Sequence, residues 1–225
     1  MTALMPESVP IGMAFPGSTV RSLLPDETAN LPLTAGVARR NDFQLGRAAA
    51  SDALRQLGFE AATVPRATTG APEWPEGVIG SISHADGLAL AAVARAEQLS
   101  ALGIDIERVP DDTDALLHSD VLTKFEHAWC GSNGERAIQI FSAKEAIFKA
   151  IYPSCRRVVG YEEVELAATP DGFLASAVSK DPVLSRSLEE LTVKSSIFEG
   201  WVQSCAFKRL TQPIPAGSGY EDATV

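Results

Sequence analysis

The chain contains few of the features that would assign it to a membrane or to an oxidising compartment. Its three cysteines, Cys130, Cys155 and Cys205, are odd in number and lack metal-type spacing, which predicts free thiols in a reducing compartment. No stretch approaches the roughly 18 uninterrupted apolar residues of a membrane-spanning helix. The N-terminus lacks the basic start and long apolar core of a signal peptide. We therefore expect a cytoplasmic protein without membrane contact.

Positive charge is also in short supply. Lys and Arg number 19 against 29 Asp and Glu, which gives a net charge of -10 and a pI near 4.8. This balance argues against a general nucleic-acid binder, because a phosphate backbone requires a basic surface. Anions could bind only where Lys and Arg are concentrated locally. The 45% hydrophobic content is that of an ordinary soluble protein, and 225 residues suffice for one large domain or two small ones.

The first local concentration of arginine lies on a predicted helix over residues 37–57. Helical spacing of apolar residues and Gly58 at the end support this helix, and a short apolar run at residues 11–15 predicts a strand before it. Arg39, Arg40 and Arg47 lie on the helix, and Arg66 lies in the loop over residues 59–77. One interpretation is a solvated basic face. The other, in a chain this acidic, is a clamp for phosphate groups.

A β-hairpin is predicted after this loop. Residues 77–83 and 88–94 read as short strands, and Asp86-Gly87 supplies the turn between them. His84 then lies at a strand end beside the turn, where functional groups are often displayed. A purely structural histidine is the alternative interpretation.

Two carboxylates share one face of the next predicted strand, residues 102–107. With period-two alternation, Ile104 and Ile106 point into the core, while Asp105 and Glu107 point the other way, side by side. Like charges placed in this way repel unless a cation lies between them, and oxygen ligands suit a hard divalent cation. A half-exposed edge strand is the alternative interpretation.

The helix from Phe141 to Tyr152 is the segment around which the chain is organised. Its apolar residues form a stripe, and Glu145 and Lys149, four residues apart, share a polar face with Lys144 at its edge. An ordinary surface ion pair would explain that spacing. Glu145 is, however, also the natural third carboxylate for a cation site. We expect Pro153 to end this helix.

The remaining predicted elements are shorter. A helix is expected over residues 122–129, strands over residues 158–167, 172–179, 191–198 and 201–208, and a mobile Pro/Gly/Ser-rich tail over residues 211–225. Arg156 and Arg157 follow the long helix and are candidates for a basic patch that meets an acidic protein partner. Ordinary surface arginines are the alternative.

Three motifs, SISH at 81–84, GIDIE at 103–107 and FSAKEAIFK at 141–149, occur in this order, and ARRNDF, LGR and GAPEWPEGV agree with them. Together they resemble the 4′-phosphopantetheinyl transferases, in particular the larger monomeric type that activates surfactin and enterobactin synthetases, including actinobacterial members. The resemblance spans roughly Ala38 to Tyr161. It implies an α+β fold of two pseudo-symmetric halves, residues 1–104 and 105–210. Each half would be a small antiparallel sheet packed with a long helix, and coenzyme A would lie in the cleft.

The same resemblance implies an activity. The enzyme would transfer 4′-phosphopantetheine from coenzyme A to a serine of an apo acyl or peptidyl carrier protein, giving the holo carrier and 3′,5′-ADP. Mg²⁺ would be the metal, with Mn²⁺ as the alternative, and the enzyme would act as a cytoplasmic monomer. Carrier proteins of fatty-acid, polyketide, nonribosomal-peptide and siderophore synthesis all remain open as partners, and neither nucleic acid nor membrane is implied.

Individual roles follow from the matching positions. The implied metal ligands are Asp105, Glu107 and Glu145, with Ile106 offering only its backbone carbonyl or leaving its place to water. At the 3′-phosphate end of coenzyme A, the implied contacts are Arg39, Arg47 and Arg66, with Arg40 as an alternative to Arg39. Ser83 and His84 would contact the phosphates, with Asp105 beside them. Lys144 and Lys149 would contact the pyrophosphate. Glu145 would also be the general base for the serine hydroxyl, directly or through water. Lys149 would stabilise the departing 3′,5′-ADP.

Two other classes of protein would use parts of this pattern. A Mg²⁺-dependent phosphohydrolase or nuclease would use the carboxylates to activate water, but it has less need of His84 and the remote arginines. A module that binds carrier proteins or coenzyme A without turnover would not require Glu145 or Lys149, and both residues are present.

Overall fold

The computed structural model describes residues 1–18, 21–29, 31, 36–60, 62–113 and 120–210, and the tail predicted to be mobile lies outside these ranges. The helices are α1 (Pro25–Thr28), α2 (Val37–Gln56), α3 (Lys124–Cys130), α4 (Gly134–Cys155) and α5 (Pro182–Leu188). The strands are β1 (Ile11–Ala14), β2 (Val78–Ala85), β3 (Leu88–Arg95), β4 (Leu99–Arg108), β5 (Val164–Thr169), β6 (Gly172–Ala177), β7 (Thr192–Phe198) and β8 (Trp201–Arg209). None of the helices in these ranges is long and apolar enough to cross a membrane.

The N-terminal half is an antiparallel three-stranded sheet in the order β1-β3-β2, with α2 packed on one face. β2 and β3 form the predicted hairpin, and Asp86 and Gly87 both have positive φ, 46° and 78°, as a two-residue type I′ turn requires. The end of α2 is also as predicted. Gly58 has φ +94°, and its N–H donates to the carbonyl of Arg55 at 3.0 Å, which satisfies a free carbonyl group at the helix end.

The C-terminal half is an antiparallel five-stranded sheet in the order β4-β8-β7-β6-β5, covered by α4. The side chain of Asn133 caps the start of α4 by accepting a hydrogen bond from the N–H of Arg136 at 3.1 Å. Pro153 does not end the helix, contrary to expectation, because a proline in the last turn removes only one backbone hydrogen bond. The helix closes at Arg156, which has φ 51° and donates its N–H to the carbonyl of Tyr152 at 2.8 Å.

A matching glycine in each half allows a strand to touch the backbone of its helix. A Cβ built on Gly12 of β1 would lie 2.0 Å from the carbonyl oxygen of Ala49 in α2. A Cβ on Gly103 of β4 would lie 2.0 Å from the carbonyl oxygen of Ala146 in α4. Only glycine fits at such a distance, so both helices lie equally close to their strands. The two halves therefore share one packing scheme, as the predicted pseudo-symmetry requires.

Three groups of buried apolar residues hold these layers together. One lies between α2 and the three-stranded sheet and includes Leu54, Ala91 and Val93. A second lies between α4 and the five-stranded sheet and includes Ile147 and Phe173. The third is formed by β3, β4, β8 and the segment before β1, and it contains Ile104 and Ile106, both almost fully buried. The predicted core direction of these two isoleucines is confirmed.

The halves meet where β2 runs beside β4, and serine hydroxyls bridge the two strands. The N–H of Ile104 donates to Ser81 Oγ at 3.0 Å, and the N–H of Ile106 donates to Ser83 Oγ at 3.3 Å. The predicted division between residues 104 and 105 falls inside β4, which pairs with β8 along its length.

The α+β prediction is confirmed, and most predicted strands coincide with observed ones. The strand predicted over residues 158–167 begins only at Val164, because Tyr161–Glu163 forms a 3-10 turn. That turn brings Tyr161 next to α4, where it contacts Phe141, Glu145 and Phe148.

Candidate active site at the junction of the two sheets

A cavity of about 460 Å³ lies beside α2 in the N-terminal half. Arg39, Arg47, Arg66 and His84 line it together, with Phe43 and Ile82 among its apolar residues. Arg39 and Arg47 come from one face of α2, Arg66 from the following loop, and His84 from the end of β2. The structure thus brings together four of the cationic or titratable residues expected from the sequence. Arg40 is exposed and lies outside the residues that line this cavity.

Arg47 is the most unusual residue of the cavity. Its side chain is buried, with a relative exposure of 5%, and its guanidinium lies 4.2 Å from the centre of the Phe43 ring. Nη2 donates to the carbonyl of Pro65 at 3.4 Å, but within the described chain Nε has no hydrogen-bond acceptor. Burial, reinforced by Arg66 and opposed by Glu27, lowers the pKa of Arg47 to about 10. A buried cation in this state is stabilised by an anion entering the cavity.

Glu27 connects the segments around the cavity of Arg47 by hydrogen bonds, and we did not identify it from the sequence. It is fully buried and makes two hydrogen bonds with Arg21, at 2.7 and 2.5 Å. It also accepts from the backbone N–H groups of Leu24 at 3.0 Å and Val64 at 3.2 Å. Val64 lies in the same loop as Arg66, so Glu27 ties that loop to α1. The signal that could have revealed it is an acidic residue in the first turn of a helix that begins with Pro25.

Asp105 lies at the centre of the contact between the halves and is almost fully buried. Its Oδ1 accepts hydrogen bonds from Lys149 Nζ at 2.7 Å and from Ser83 Oγ at 2.8 Å. Lys149 also donates to Ser83 Oγ and to the carbonyl of Ile104, both at 3.1 Å. β2, β4 and α4 therefore converge on one carboxylate. The other oxygen, Asp105 Oδ2, is buried and has no partner among the described residues.

Glu107 and Glu145 form an acidic cluster with Asp105, because the charges of Asp105 and Glu145 act on Glu107. Burial, together with the charges of Asp105 and Glu145 and against that of Lys149, raises the pKa of Glu107 to about 7. Glu145 Oε1 accepts a short hydrogen bond from the phenol of Tyr161. Burial and Glu145 raise the pKa of that phenol. The predicted strand face is confirmed, since Asp105 and Glu107 both face the α4 side of β4, opposite the two isoleucines.

The cluster supplies carboxylate oxygens, which divalent cations prefer as ligands, but the three side chains are not arranged around a common point. In the ranges that the structure covers, no three His, Cys, Asp or Glu side chains are arranged so that they could hold a metal ion. The reason is local: Lys149 occupies one oxygen of Asp105, and Tyr161 occupies one oxygen of Glu145. Asp105 Oδ2, which has no partner in the described ranges, and the pKa of Glu107, which is raised by burial and by the neighbouring carboxylates, nevertheless fit a hard cation. Ile106 points its side chain into the core, so only its backbone faces this region.

Lys144 is not brought to this cluster, which corrects the expectation that it faces a pyrophosphate. It is fully buried, and its Nζ donates to Glu126 Oε2 and to the carbonyls of Val121 and Tyr161, at 2.8, 2.9 and 2.8 Å. Three donors with three acceptors leave none for a ligand. The spacing along α4 explains the difference, because adjacent residues on a helix point about 100° apart. Lys144 therefore faces the core while Glu145 faces the junction.

Arg157 also differs from its expected role in a basic patch. Its guanidinium makes two hydrogen bonds with Glu163, at 2.8 and 2.7 Å, and one with Asp181 at 2.8 Å. Its charge is therefore compensated within the protein. Arg156, which terminates α4, carries no such ion pair among the residues described.

A second cavity, of about 310 Å³, opens on the other side of the acidic cluster. Glu145 and Lys149 border it, and its walls are mostly apolar or aromatic: Phe148, Tyr152, Val158, Val159 and Tyr161. The aromatic ring of Tyr161 packs against those of Phe141 and Phe148, at centroid distances of 5.9 and 5.3 Å. A cationic cavity, a carboxylate cluster and an apolar cavity therefore follow one another across the junction.

Comparison with known families agrees with the sequence motifs. A family model of the 4′-phosphopantetheinyl transferase N-terminal domain matches residues 27–94, and a model of the 4′-phosphopantetheinyl transferase superfamily matches residues 101–202. The first match ends within β3, and the second begins within β4. Among solved structures, a holo-ACP-synthase from Plasmodium yoelii is similar at a TM-score of 0.38 with 21% identity, covering 51% of this chain and 97% of that chain. A similarity of that size carries no argument.

Similar proteins of named activity cover more of the chain. The 4′-phosphopantetheinyl transferase Svp of Streptomyces mobaraensis is 33% identical over 238 residues, 99% of this chain and 93% of that protein. The 4′-phosphopantetheinyl transferase Npt of Nocardia iowensis is 36% identical and covers 57% of this chain and 59% of that protein. Enterobactin synthase component D of Escherichia coli is 40% identical, over 52% of this chain and 56% of that protein. The chain therefore belongs to the 4′-phosphopantetheinyl transferase superfamily, as an enzyme of the actinobacterial-like type.

Proposed function

We propose that this enzyme transfers 4′-phosphopantetheine from coenzyme A to a serine of an apo acyl or peptidyl carrier protein and acts as a monomer. The observation that carries the proposal is a buried guanidinium, that of Arg47, whose Nε has no hydrogen-bond acceptor among the described residues and which lies in a cavity that adjoins a carboxylate cluster. Coenzyme A has a matching order of groups: a 3′-phosphate, a pyrophosphate and a mostly apolar arm. Residues from both halves of one chain supply the site, so a second subunit is not needed.

The 3′-phosphate end would lie in the cationic cavity. Arg39, Arg47 and Arg66 neutralise a phosphate there, and Arg47 gains the acceptor that its Nε lacks. His84, at the end of β2, lines the same cavity and would contact the phosphates from there. The pantetheine arm would then extend into the apolar cavity walled by Phe148 and Tyr152.

Asp105, Glu107 and Glu145 would hold the divalent cation. When bound, Mg²⁺ or Mn²⁺ would neutralise charge on the pyrophosphate oxygens and reduce the repulsion among the three carboxylates. The chain itself orients the carboxylates: Ser83 and Lys149 fix Asp105, and Tyr161 fixes Glu145.

Glu145 is proposed to accept the proton of the carrier serine as its Oγ attacks the pantetheine-bearing phosphorus. The new Oγ–P bond forms as the bond from that phosphorus to the bridging pyrophosphate oxygen breaks. The electron pair leaves with 3′,5′-ADP. Lys149, one helical turn from Glu145, is placed to stabilise the charge that develops on the leaving oxygen.

The direct test uses the purified protein with coenzyme A, Mg²⁺ and a panel of apo carrier proteins, followed by intact-mass spectrometry. A transferase increases the mass of a carrier by one phosphopantetheine and releases one 3′,5′-ADP for each modified carrier. A phosphohydrolase, the alternative with the same carboxylates, would release products from coenzyme A without modifying any carrier. A binding module would leave both substrates unchanged. Either of the last two results across the panel would overturn the proposal.

A further inference from the structure

The phenol of Tyr161 makes a contact with the acidic cluster that neither the motifs nor the expected roles include. Its hydroxyl donates to Glu145 Oε1. Its ring is held between Phe141 and Phe148 of α4, with centroid distances of 5.9 and 5.3 Å. Because Glu145 and these two rings come from one helix, Tyr161 is fixed against the same face that presents the carboxylate.

The backbone of Tyr161 is fixed as well, by the buried lysine of the FSAKEAIFK motif. Lys144 Nζ donates to the carbonyl of Tyr161 at 2.8 Å and to Glu126 Oε2, also at 2.8 Å. Glu126 in turn accepts from the backbone N–H of Leu166 in β5 at 2.8 Å and from that of Thr123 before α3 at 2.7 Å. Lys144 and Glu126 thus join α3, α4 and β5 around the turn that carries Tyr161.

We propose that Tyr161 is a positioning residue for Glu145 and that Lys144 holds Tyr161 in place. The proposal rests on the proposed function for the role of Glu145. A glutamate on a helix can rotate about three side-chain bonds, and a hydrogen bond to one oxygen limits that rotation. Oε1 is committed to the phenol, so Oε2 is the oxygen presented to a cation or to the serine hydroxyl. Replacing a residue that hydrogen-bonds a metal ligand typically lowers metal affinity or activity by about 10- to 100-fold.

This assignment gives the two lysines of the motif different tasks. Lys149 reaches the junction and contacts Asp105 directly, with 30% of its side chain exposed, whereas the side chain of Lys144 is fully buried. Lys144 therefore acts at a distance from the reacting atoms, through the backbone of Tyr161. A lysine with its three donors committed in this way supports geometry rather than ligand binding.

The test is Tyr161→Phe, which removes one hydroxyl and keeps the ring between its aromatic neighbours. The control is Ser187→Ala, which also removes one hydroxyl, from a hydrogen bond within α5 to the carbonyl of Val183, and Ser187 lines neither of the two cavities. We expect Tyr161→Phe to lower kcat for transfer about 10-fold, with KM for coenzyme A within about twofold. It should also weaken Mn²⁺ binding about 10-fold, as measured by electron paramagnetic resonance with coenzyme A and without carrier. Ser187→Ala should match the unmodified protein in all three measurements.

The metal measurement separates this proposal from the proposed function. If the unmodified protein binds Mn²⁺ but modifies no carrier, the proposed function fails, and a weaker Mn²⁺ affinity of Tyr161→Phe would still support the positioning role. Unchanged Mn²⁺ affinity in Tyr161→Phe would overturn the positioning role, whatever the transfer rate. Equal losses in Tyr161→Phe and Ser187→Ala would overturn it too, because they would reflect a general loss of stability rather than the bond to Glu145.

Discussion

The two halves of the molecule use one packing scheme but differ in which buried polar atom lacks a hydrogen-bond partner among the described residues. In each, a strand glycine touches a helix backbone, Gly12 against α2 and Gly103 against α4, with the same 2.0 Å separation for an added Cβ. In the N-terminal half that atom is Arg47 Nε, which belongs to a cation. The C-terminal half pairs its buried lysine, Lys144, and the atom without a partner in the described ranges is a carboxylate oxygen, Asp105 Oδ2, although Asp105 Oδ1 is paired with Lys149.

This difference indicates that the two halves bind groups of opposite charge. A buried guanidinium nitrogen without an acceptor favours an anion, and a buried carboxylate oxygen without a donor favours a cation. β2 contributes a residue to the surroundings of each atom: His84 lines the cavity of Arg47, and Ser83, on the opposite face of the strand, contacts Asp105. A ligand that carries phosphate at one end and binds a divalent cation through its pyrophosphate would satisfy both, which is the reason that a repeated scaffold can serve a single substrate.

The largest effect is expected from removing the proposed base of the C-terminal half. Glu145→Gln keeps the size of the side chain but removes its charge and basicity, so carrier modification should slow at least about 100-fold at saturating Mg²⁺. Coenzyme A binding, measured by calorimetry, should change little, because the N-terminal half supplies the phosphate clamp. Glu135→Gln, an exposed change in the first turn of the same helix, is the control. Near-normal transfer by Glu145→Gln would contradict the assignment.

The shared packing scheme can be broken in either half. Gly12→Ala and Gly103→Ala should each lower the free energy of unfolding by about 2 kcal/mol, because the added methyl group meets helix backbone that cannot move aside. Urea denaturation followed by circular dichroism measures this. Gly36→Ala is the matched control, since a Cβ there has no atom within 4 Å. If only one of the two glycine variants were destabilised, the halves would not be equivalent.

The cationic half is tested by Arg47→Ala. Loss of one charge-assisted contact should weaken coenzyme A binding about 10-fold, or about 1.4 kcal/mol. Binding of 3′-dephospho-coenzyme A, which lacks the phosphate assigned to this cavity, should weaken much less. Arg40→Ala, on the same helix but outside the residues that line the cavity, is the control. Equal losses for both ligands would mean that Arg47 does not contact the 3′-phosphate.

The comparison of halves also shows what the sequence could reveal. Alternation along residues 102–107 predicts which faces hold Ile104 and Asp105, because strand geometry is local. The same reasoning places Glu145 and Lys149 on one face of α4. It cannot find the partner that a side chain meets after folding. From the sequence, Lys144 resembles a surface lysine, because its partner Glu126 is brought to it only by folding. Tyr161 lies in a segment that the pattern predicts to be a strand, so its contact with α4 was not predicted.

The smallest expected effect is on stability and concerns Glu107, whose pKa is raised to about 7. A carboxyl with a higher pKa in the native state binds its proton more tightly there than in the unfolded chain. The contribution of Glu107 to the free energy of unfolding is therefore highest at acid pH, falls as the pH rises from the ordinary Glu value of 4.5 to about 7, and stays low above it. After allowance for partial exposure to solvent, the decline should be about 1 kcal/mol.

Glu107→Gln should remove that decline. At pH 8 the metal-free variant should be more stable than the unmodified protein by about 1 kcal/mol, and at pH 5 the two should be equal. Mg²⁺ should stabilise the unmodified protein at pH 8 and the variant less, because the cation relieves the repulsion that the substitution has already removed. Asp105→Asn is the informative contrast: it loses charge from the same cluster but also the 2.7 Å ion pair with Lys149. It should therefore destabilise the protein at both pH values. If Glu107→Gln and Asp105→Asn had the same effect, the charge of the cluster would matter and the pairing of Asp105 would not.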